Sequence, residues 1–330
     1  MKITRYTTIL AGLICTATQA LSADLPSKKV VNALPEIVAQ SCLETKDTAL
    51  PPDIFGFGAG SDVADVGSLS AGLEYGSAFG TRAGSSNSHG LKGQVSFSPL
   101  PCFEVGPSLS GTWGRSTDNL ALTRENTTAY GAAIELKYKL LGRSQNGIGL
   151  TLVTEPSYLF NKTNLSDSLV PFSSSESSRS AGNVYKALTD FAFIPDTLYG
   201  ALSVEFAHNY TSAEPLALNS CAPASGSLSA WCRSSNLNVR AALSYKARDS
   251  LFLGAELQHL RSYDGAFLNR LTGQAWYVGP TFYWEVVPEK LTLSGTWATQ
   301  VSGKAEGVAG SLDLTNFNRH IAKVKLGYAF

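Results

Sequence analysis

The sequence lacks a long apolar run, an excess of charge of one sign and a metal-binding cysteine pattern. No stretch approaches the roughly 20 apolar residues that a membrane-spanning helix needs, which excludes a helical integral membrane protein. Lys plus Arg and Asp plus Glu each number 26, which argues against a nucleic-acid binder because such proteins normally carry a basic excess. No Cys-x-x-Cys or Cys/His spacing suggests zinc, so no cofactor is expected.

Catalytic motifs are also scarce. The stretch GFGAGSD at 56–62 lacks the Lys-Ser/Thr pair of a phosphate-binding loop, and we interpret it as a tightly turning or flexible lead-in. Ser88 and His89 adjoin each other in GSSNSHG at 84–90, which we interpret as a polar loop. No nucleophile, base and orienting group can be named together, so the sequence does not favour an enzyme.

The first 23 residues have the pattern of a secretory signal peptide. Lys2 and Arg5 precede an apolar run from Ile9 to Ala17, which is too short to span a membrane and is followed by small residues. We place cleavage after Ala23, with Ala20 as the second choice. Residues 24–65 show no sustained periodicity and are predicted to form an irregular periplasmic or plugging segment.

From Val66 to the end, apolar residues alternate with polar ones in segments of about 9–15 residues, the length of tilted membrane-spanning strands. Twelve such segments can be counted. The connections after the second, fourth, sixth, eighth and tenth are the short turns PLP, GRSQNG, PDT, RDS and PEK. The other connections are long and polar, and the longest lie at 161–182 and 211–236. Residues 66–330 are therefore predicted to form a closed antiparallel transmembrane β-barrel of about 12 strands.

The two faces of these strands differ in chemistry. One face is apolar and has aromatic residues near both strand ends, as at the two interfaces of a membrane, so it is expected to face lipid. The other face carries charge and is expected to line a lumen. The predicted lumen charges are Glu74, Lys92, Glu104, Glu135, Lys137, Glu155, Lys186, Glu205, Arg240, Glu256, Glu285, Lys323 and Lys325. Lys139, Asp190 and Lys246 share their parity.

The signs of these charges nearly alternate around the predicted barrel, which suggests ion pairs between neighbouring strands. We expect Lys92 between Glu74 and Glu104, Lys186 between Glu155 and Glu205, Arg240 between Glu205 and Glu256, and Lys323 and Lys325 against Glu74. A balanced lumen is compatible with a weakly selective aqueous pore or with a salt-bridged, blocked interior. The sequence leaves both open.

The chain ends IAKVKLGYAF, in which Val324, Leu326, Tyr328 and Phe330 share one parity. This ending resembles the C-terminal assembly signal of bacterial outer-membrane β-barrels, whose closing strand alternates apolar residues up to a final aromatic. The start of the predicted mature chain, ADLPSKK, resembles proteobacterial outer-membrane proteins that begin with ADLP. The resemblance implies the outer membrane of a Gram-negative bacterium, with outer-membrane lipid, lipopolysaccharide and the barrel assembly machinery as partners.

Four cysteines remain after removal of the signal peptide, which suggests disulfides in an exported protein. Cys221 and Cys232 lie in one predicted outer loop and can pair with each other. Cys42 lies in the lead segment and Cys102 beside the first short turn, so a second bond would tie that segment to the barrel.

The leading functional hypothesis is a passive channel for small polar solutes. The competing hypothesis is a closed structural or surface-interaction barrel that presents long outer loops, and an outer-membrane enzyme is third. The sequence names neither a solute nor an oligomeric state.

Overall fold

A computed structural model of the 330-residue chain describes residues 50–51, 53–81, 84–117, 123–167, 173–213 and 231–330. The predicted signal peptide, residues 1–23, and most of the lead segment, residues 24–49, lie outside the described residues. The cleavage site and the structure of residues 24–49 therefore stay predictions.

The described residues form twelve antiparallel strands, because alternating side chains suit a sheet with two chemically different faces. They are β1 (Leu69–Phe79), β2 (Ser85–Leu100), β3 (Phe103–Thr117), β4 (Thr123–Leu141), β5 (Ile148–Asp167), β6 (Ser173–Ile194), β7 (Leu198–Ala213), β8 (Trp231–Arg248), β9 (Leu251–Tyr263), β10 (Leu271–Val287), β11 (Leu291–Ala305) and β12 (His320–Ala329). Each strand pairs with its sequence neighbours, and β12 pairs with β1. The predicted closed 12-strand antiparallel barrel is confirmed.

The connections differ between the two ends of the barrel. One end, called the turn end, carries residues 101–102, 142–147, 195–197, 249–250 and 288–290. The helix α1 (Arg143–Asn146) lies in the second of these turns. The opposite end, called the loop end, carries residues 80–84, 118–122, 168–172, 214–230, 264–270 and 306–319. Within the described part of the chain, no helix is long and apolar enough to cross a membrane.

Three predicted loops are shorter than expected, because strands continue through them. Residues 161–182 were expected to form one long loop, but β5 and β6 pair as far as Ser166 and Ser173. The predicted loop at 84–90 lies almost wholly in β2, and Cys232 belongs to β8 rather than to the preceding loop. These strand ends carry polar residues on both faces, so they lack the apolar alternation that marks a strand in sequence.

The outward face is apolar and exposed along the middle of the strands. Its large side chains include Leu109, which is 72% exposed, Tyr130, which is 67% exposed, and Ile134, which is 48% exposed. The inward face carries the polar and charged side chains, and buried apolar clusters occur inside the barrel rather than around it. This inversion of the usual globular pattern is what a lipid-facing wall requires.

The outward face gives the first prediction. Leu109→Arg places a charge near the middle of β3 on the apolar wall, and in lipid vesicles it should lower the free energy of unfolding by about 2–4 kcal/mol. Thr112→Arg is the matched control, because Thr112 lies on the same strand with the opposite, inward parity and is exposed there. The measurement is urea unfolding in vesicles. Equal effects of the two changes would contradict the assignment of faces.

Candidate functional site: the barrel lumen

A chain of ion pairs runs along the lumen wall from β2 to β6. Lys92 Nζ lies 2.5 Å from Glu155 Oε1. Lys186 Nζ lies 3.0 Å from Glu155 Oε2 and 3.3 Å from Glu135 Oε2. Each of these carboxylates thus contacts more than one cation, or one cation and a further polar group, which makes the pairs a network rather than isolated contacts.

The network continues through Lys137 on β4. Its Nζ lies 3.4 Å from Glu135 Oε1 and 2.9 Å from Glu104 Oε1. Gln94 also donates to Glu135 at 3.1 Å. Acids and bases therefore alternate along this wall, and the wall as a whole carries little net charge.

The ion pairs of Lys92 differ from those expected. Lys92 lies directly opposite Glu74 in the register of β1 and β2, yet its ion pair is with Glu155, not with Glu74 or Glu104. The neighbouring register positions on β3 and β4 are Ser110 and Gly131. Because both side chains are small, the lysine stem can lie across them and reach β5. The expectation of nearest-strand pairing was wrong here.

Arg240 on β8 forms a second, smaller group. Its Nη1 lies 3.0 Å from Glu205 Oε2, and its Nε donates to Gln258 at 3.3 Å. Asn238 also donates to Glu205, at 2.8 Å. The expected contact with Glu256 is absent among the described residues, because that carboxylate is occupied by the N-terminal segment.

The N-terminal segment, defined here as residues 50–65, lies inside the barrel near the turn end. The backbone N–H groups of Phe57 and Gly58 donate to the two oxygens of Glu256, at 2.9 and 2.8 Å. The Ser61 N–H donates to Asp190 at 2.5 Å. Gly56 has a φ of 75°, and a Cβ there would overlap Thr281, so glycine is required for the turn that presents these N–H groups.

Ion pairs hold the same segment to the wall. Asp53 lies 2.9 Å from Lys325 on β12. Asp62 lies 2.5 Å from Lys139 and 3.0 Å from Arg143, the first residue of α1. Arg143 also contacts Asp190, which is fully buried. The carboxylate that accepts the Ser61 N–H is thus itself neutralised by an arginine.

Apolar side chains also hold the segment against the inner wall. Ile54 and Phe55 are at most 1% exposed. The buried cluster they join consists of Leu50, Ile54, Phe55, Tyr199, Ala201, Ala242, Phe252 and Tyr283. Its barrel members have inward parity on β7 to β10. The segment therefore covers an apolar patch on an otherwise polar inner wall, which stabilises its position by removing that patch from water.

The connection between β11 and β12 also folds against the inner wall. Asp313 is fully buried and accepts the N–H groups of Thr315 and Asn316, at 3.2 and 3.0 Å. Gln300 donates to the Asp313 carbonyl at 3.0 Å, and the Tyr277 hydroxyl donates to a backbone carbonyl of the same connection. These bonds hold residues 311–318 beside β10 and β11.

The segment and this connection meet one common apolar cluster. Ala275, Tyr277 and Ala298 form its buried centre. Phe57 from the segment and Phe317 from the connection both pack against it. Phe57 and Phe317 thus fill space beside β9–β12. Residues 61–64 of the segment reach the opposite wall, where the ion-pair network of β2–β6 lies.

The remaining predicted lumen residues have separate positions. Lys323 lies 3.9 Å from Glu74, as expected, and its Nζ lies 5.4 Å from the centre of the Phe57 ring. Lys325 lies opposite Glu74 in the register, but its ion pair is with Asp53, so its expected pairing was wrong. Glu285 makes no ion pair with any described residue.

Sequence reasoning missed Asp53, Asp62 and Arg143. The first two lie in a segment without periodicity, and Arg143 lies in a turn, so parity gives no information about any of them. Ser88 and His89 lie in β2 and not in the predicted loop, so their side chains point to opposite faces of the sheet. His89 faces outward, where Tyr75 contacts its Nδ1 at 2.8 Å and Trp113 stacks on it, while Ser88 faces the lumen.

Comparison with known proteins places the chain in a family. A family model matches residues 51–330, which cover the N-terminal segment from residue 51 and all twelve strands. The chain belongs to DUF6662. That family is described as one of unknown function. No curated protein matches the sequence.

Solved structures share the fold at low identity. The β domain of the Bordetella autotransporter BrkA has a TM-score of 0.56 and 12% identity, covering 81% of this chain and 100% of that chain. The translocator domain of the autotransporter NalP from Neisseria meningitidis has a TM-score of 0.53 and 12% identity, covering 82% and 90%. The COG4313 outer membrane channel from Pseudomonas putida F1 has a TM-score of 0.51 and 11% identity, covering 86% and 100%. The fold is that of outer-membrane β-barrels.

The ion pair of Asp53 gives a prediction about pH. Burial opposes ionisation of this carboxyl, but Lys325 beside it, with Lys323 and Lys137, holds the pKa of Asp53 below its ordinary value. A depressed folded-state pKa stabilises the docked segment above the unfolded-state pKa of about 4, and this stabilisation is lost as pH falls through the folded value. Hydrogen exchange at Phe57 and Gly58, corrected for the intrinsic rate, should therefore rise in acid.

Asp53→Asn is the control for that measurement. It should show faster exchange already at neutral pH and a smaller further rise in acid, while the contribution of Glu256 is the same in both proteins. Identical pH profiles for the wild type and the variant would show that Asp53 does not hold the segment.

Proposed function

We propose that this protein is an outer-membrane channel for small polar solutes, with residues 50–65 as its constriction. The observation that carries the proposal is the ion-pair network of the lumen wall. Side chains of Lys92, Glu135, Glu155 and Lys186 remain 12–28% exposed although they face the interior of a closed barrel. A wall of hydrated charges of both signs suits passage of polar solutes with weak ion selectivity.

The outer membrane of a Gram-negative bacterium is the location that we propose. The apolar outward face, the absence of charge from its central band and the signal-peptide pattern of residues 1–23 support it. The turn end would face the periplasm and the loop end the cell exterior, because short periplasmic turns and longer outer loops are the habit of such barrels.

Assembly of the barrel is proposed to depend on its last strand. Val324, Leu326, Tyr328 and Phe330 all have outward parity, and Phe330 is 76% exposed. The Phe330 N–H donates to the Leu69 carbonyl at 3.1 Å, so the terminal aromatic lies at the seam where the barrel closes. Deletion of Phe330 should reduce the level of folded protein in the outer membrane while synthesis continues. Unchanged levels in a membrane fractionation would refute a role as an assembly signal.

Two disulfides, Cys42–Cys102 and Cys221–Cys232, are also part of the proposal. Cys102 lies at the turn end and Cys232 at the loop end, so these two cannot pair with each other. The bonded state of both Cys102 and Cys232 supports the proposal, while Cys42 and Cys221 lie outside the described residues. Peptide mapping without reductant tests it, and a Cys42–Cys221 link would contradict it.

A non-conducting structural barrel is the competing function. The position of the N-terminal segment favours it, because Phe57, Gly58 and Ser61 are tied to buried carboxylates and Phe55 is fully buried. A segment held in this way could close the barrel permanently. The two functions differ in whether a solute can pass once the segment is loosened.

Single-channel recording in a planar bilayer tests the proposed channel. Glu256→Ala removes the acceptor of two N–H bonds, each worth about 1.5–3 kcal/mol for a charged partner, so the segment should undock and conductance should increase over the wild type. Glu285→Ala is the matched control, since Glu285 also faces inward near the turn end but bonds to no described residue of the segment. Its conductance should equal that of the wild type.

Two outcomes contradict the proposal. If neither the wild type nor Glu256→Ala conducts, the barrel is structural. If both conduct equally, residues 50–65 are not the constriction. A difference in gel migration between unheated and heated protein establishes that each variant has folded before recording.

Arg240 gives a prediction about selectivity. Its side chain and that of Glu205 are 15% and 18% exposed, so in a water-filled lumen the pair is partly screened and is worth about 0–1 kcal/mol. Arg240→Ala should leave stability nearly unchanged and shift the reversal potential toward cations, because Glu205 loses its partner. Arg240→Lys keeps the charge and should behave as the wild type. A loss of about 3–5 kcal/mol without conductance would instead indicate a dry, blocked interior.

A further inference from the structure

The outward face of the barrel carries charge of one sign, concentrated near the loop end, while Arg248 of β8 is the one such strand residue near the turn end among the described residues. Seven cations near the loop end have outward parity: Arg115, Arg124, Lys162, Arg179, Arg233, Arg261 and Lys304. Among strand residues whose side chains are described, no Asp or Glu has outward parity. None of the seven makes an ion pair with a described residue. The outward charges are thus all positive, whereas the lumen wall carries both signs in balance. A purely cationic outer surface points to an anionic partner outside the barrel.

Two of these cations face each other across one strand. Arg261 on β9 and Lys304 on β11 are both register partners of Gln274 on β10. Neighbouring strands lie about 4.8 Å apart, so the two Cα atoms are roughly 10 Å apart. Long cationic side chains on either side of an amide donor can converge on a group between them. Within the described part of the chain, the buried Arg261 Nε has no hydrogen-bond acceptor.

A β-bulge places Lys304 on this face. Trp276 pairs with Ser302 and Tyr277 with Gln300, so Val301 is the extra residue of β11. Without the bulge, Lys304 would have inward parity, since Trp297 marks the outward positions of the strand before it. Bulges re-aim side chains in this way, and here the bulge adds a cation to the outer wall beside Arg261.

An aromatic platform lies directly below the two cations, toward the middle of the barrel wall. His259 and Trp276 are register partners whose rings stack with centroids 4.1 Å apart at an interplanar angle of 6°. Trp276 is 39% exposed, and Val278, the next outward residue, is 44% exposed. A Trp at this position marks a membrane interface. The cations are two residues farther out, about 7 Å along the strand, which is the level of lipid headgroups.

We propose that Arg261, Gln274 and Lys304 bind the phosphate of an outer-leaflet lipid headgroup, whose acyl chains pack on Trp276 and Val278. The proposal rests on the outer-membrane location and orientation proposed above. Phosphate is the fitting anion because a guanidinium offers parallel donors to two of its oxygens, and a lysine adds a point charge. The occupant is a lipid and not free phosphate, since the apolar surface continues directly below the cations.

Binding of fluorescent diphosphoryl lipid A to the folded full-length barrel in non-ionic micelles tests this site. The double variant R261Q/K304Q should bind at least about tenfold more weakly than the wild type. The control R248Q/K290Q removes two cations at the turn end and should bind within about twofold of the wild type. R261K/K304R keeps both charges and should retain most of the affinity. Dephosphorylated lipid should bind the wild type and R261Q/K304Q alike, and excess inorganic phosphate should displace little lipid.

Wild-type affinity in R261Q/K304Q overturns the proposal, as does a wild type that binds the dephosphorylated lipid equally well. Displacement by inorganic phosphate would show an anion site without lipid recognition and would also overturn it. The experiments can refute the channel proposal and the lipid-site proposal independently of each other. A barrel that conducts but ignores the phosphate refutes only the lipid site, and one that never conducts but prefers the phosphorylated lipid refutes only the channel.

Discussion

Closure of the sheet between β1 and β12 is the constraint on which the rest of the structure depends. The ladder runs from Ser70 opposite Ala329 to Phe79 opposite His320 and leaves no unpaired strand edge on the barrel. An open edge would expose backbone donors and acceptors that lipid cannot satisfy. Once the backbone is satisfied within the sheet, the outward side chains are free to be wholly apolar. All polar chemistry of the wall is then directed inward or to the two ends.

The fold could be predicted from the sequence because alternation reports which face a side chain occupies. It was sufficient for the strand number and for the order of turns and loops, but not for Ser88 and His89, which were expected in a loop and lie in β2. It could not give the partner of Lys92, because a long side chain crosses Ser110 and Gly131 to reach another strand. Strand ends such as those around Ser166 and Ser173 were also missed, since water on both sides leaves no apolar face to detect.

The contacts of the N-terminal segment could not be predicted for a different reason. Three of its contacts are made by backbone N–H groups, those of Phe57, Gly58 and Ser61, and the backbone is the same at every position of a sequence. Only Gly56, whose backbone conformation few other residues adopt, indicates the turn in the sequence. The expectation of a plugging segment followed from the absence of periodicity. The sequence placed Glu256 and Asp190 on the inner face of the barrel, but it did not indicate that these carboxylates bind the segment.

The anchors of this segment come from strands spread around the whole barrel. Glu104 lies on β3, Asp190 on β6, Glu256 on β9 and Lys325 on β12, and the contact of Lys325 with Asp53 spans 272 positions of the chain. Closing so long a stretch of chain costs entropy, and the four anchors come within reach of one segment only when the strands that carry them are assembled. Residues made before any strand therefore settle after the last strand has joined the first. Docking of the segment therefore depends on completion of the barrel.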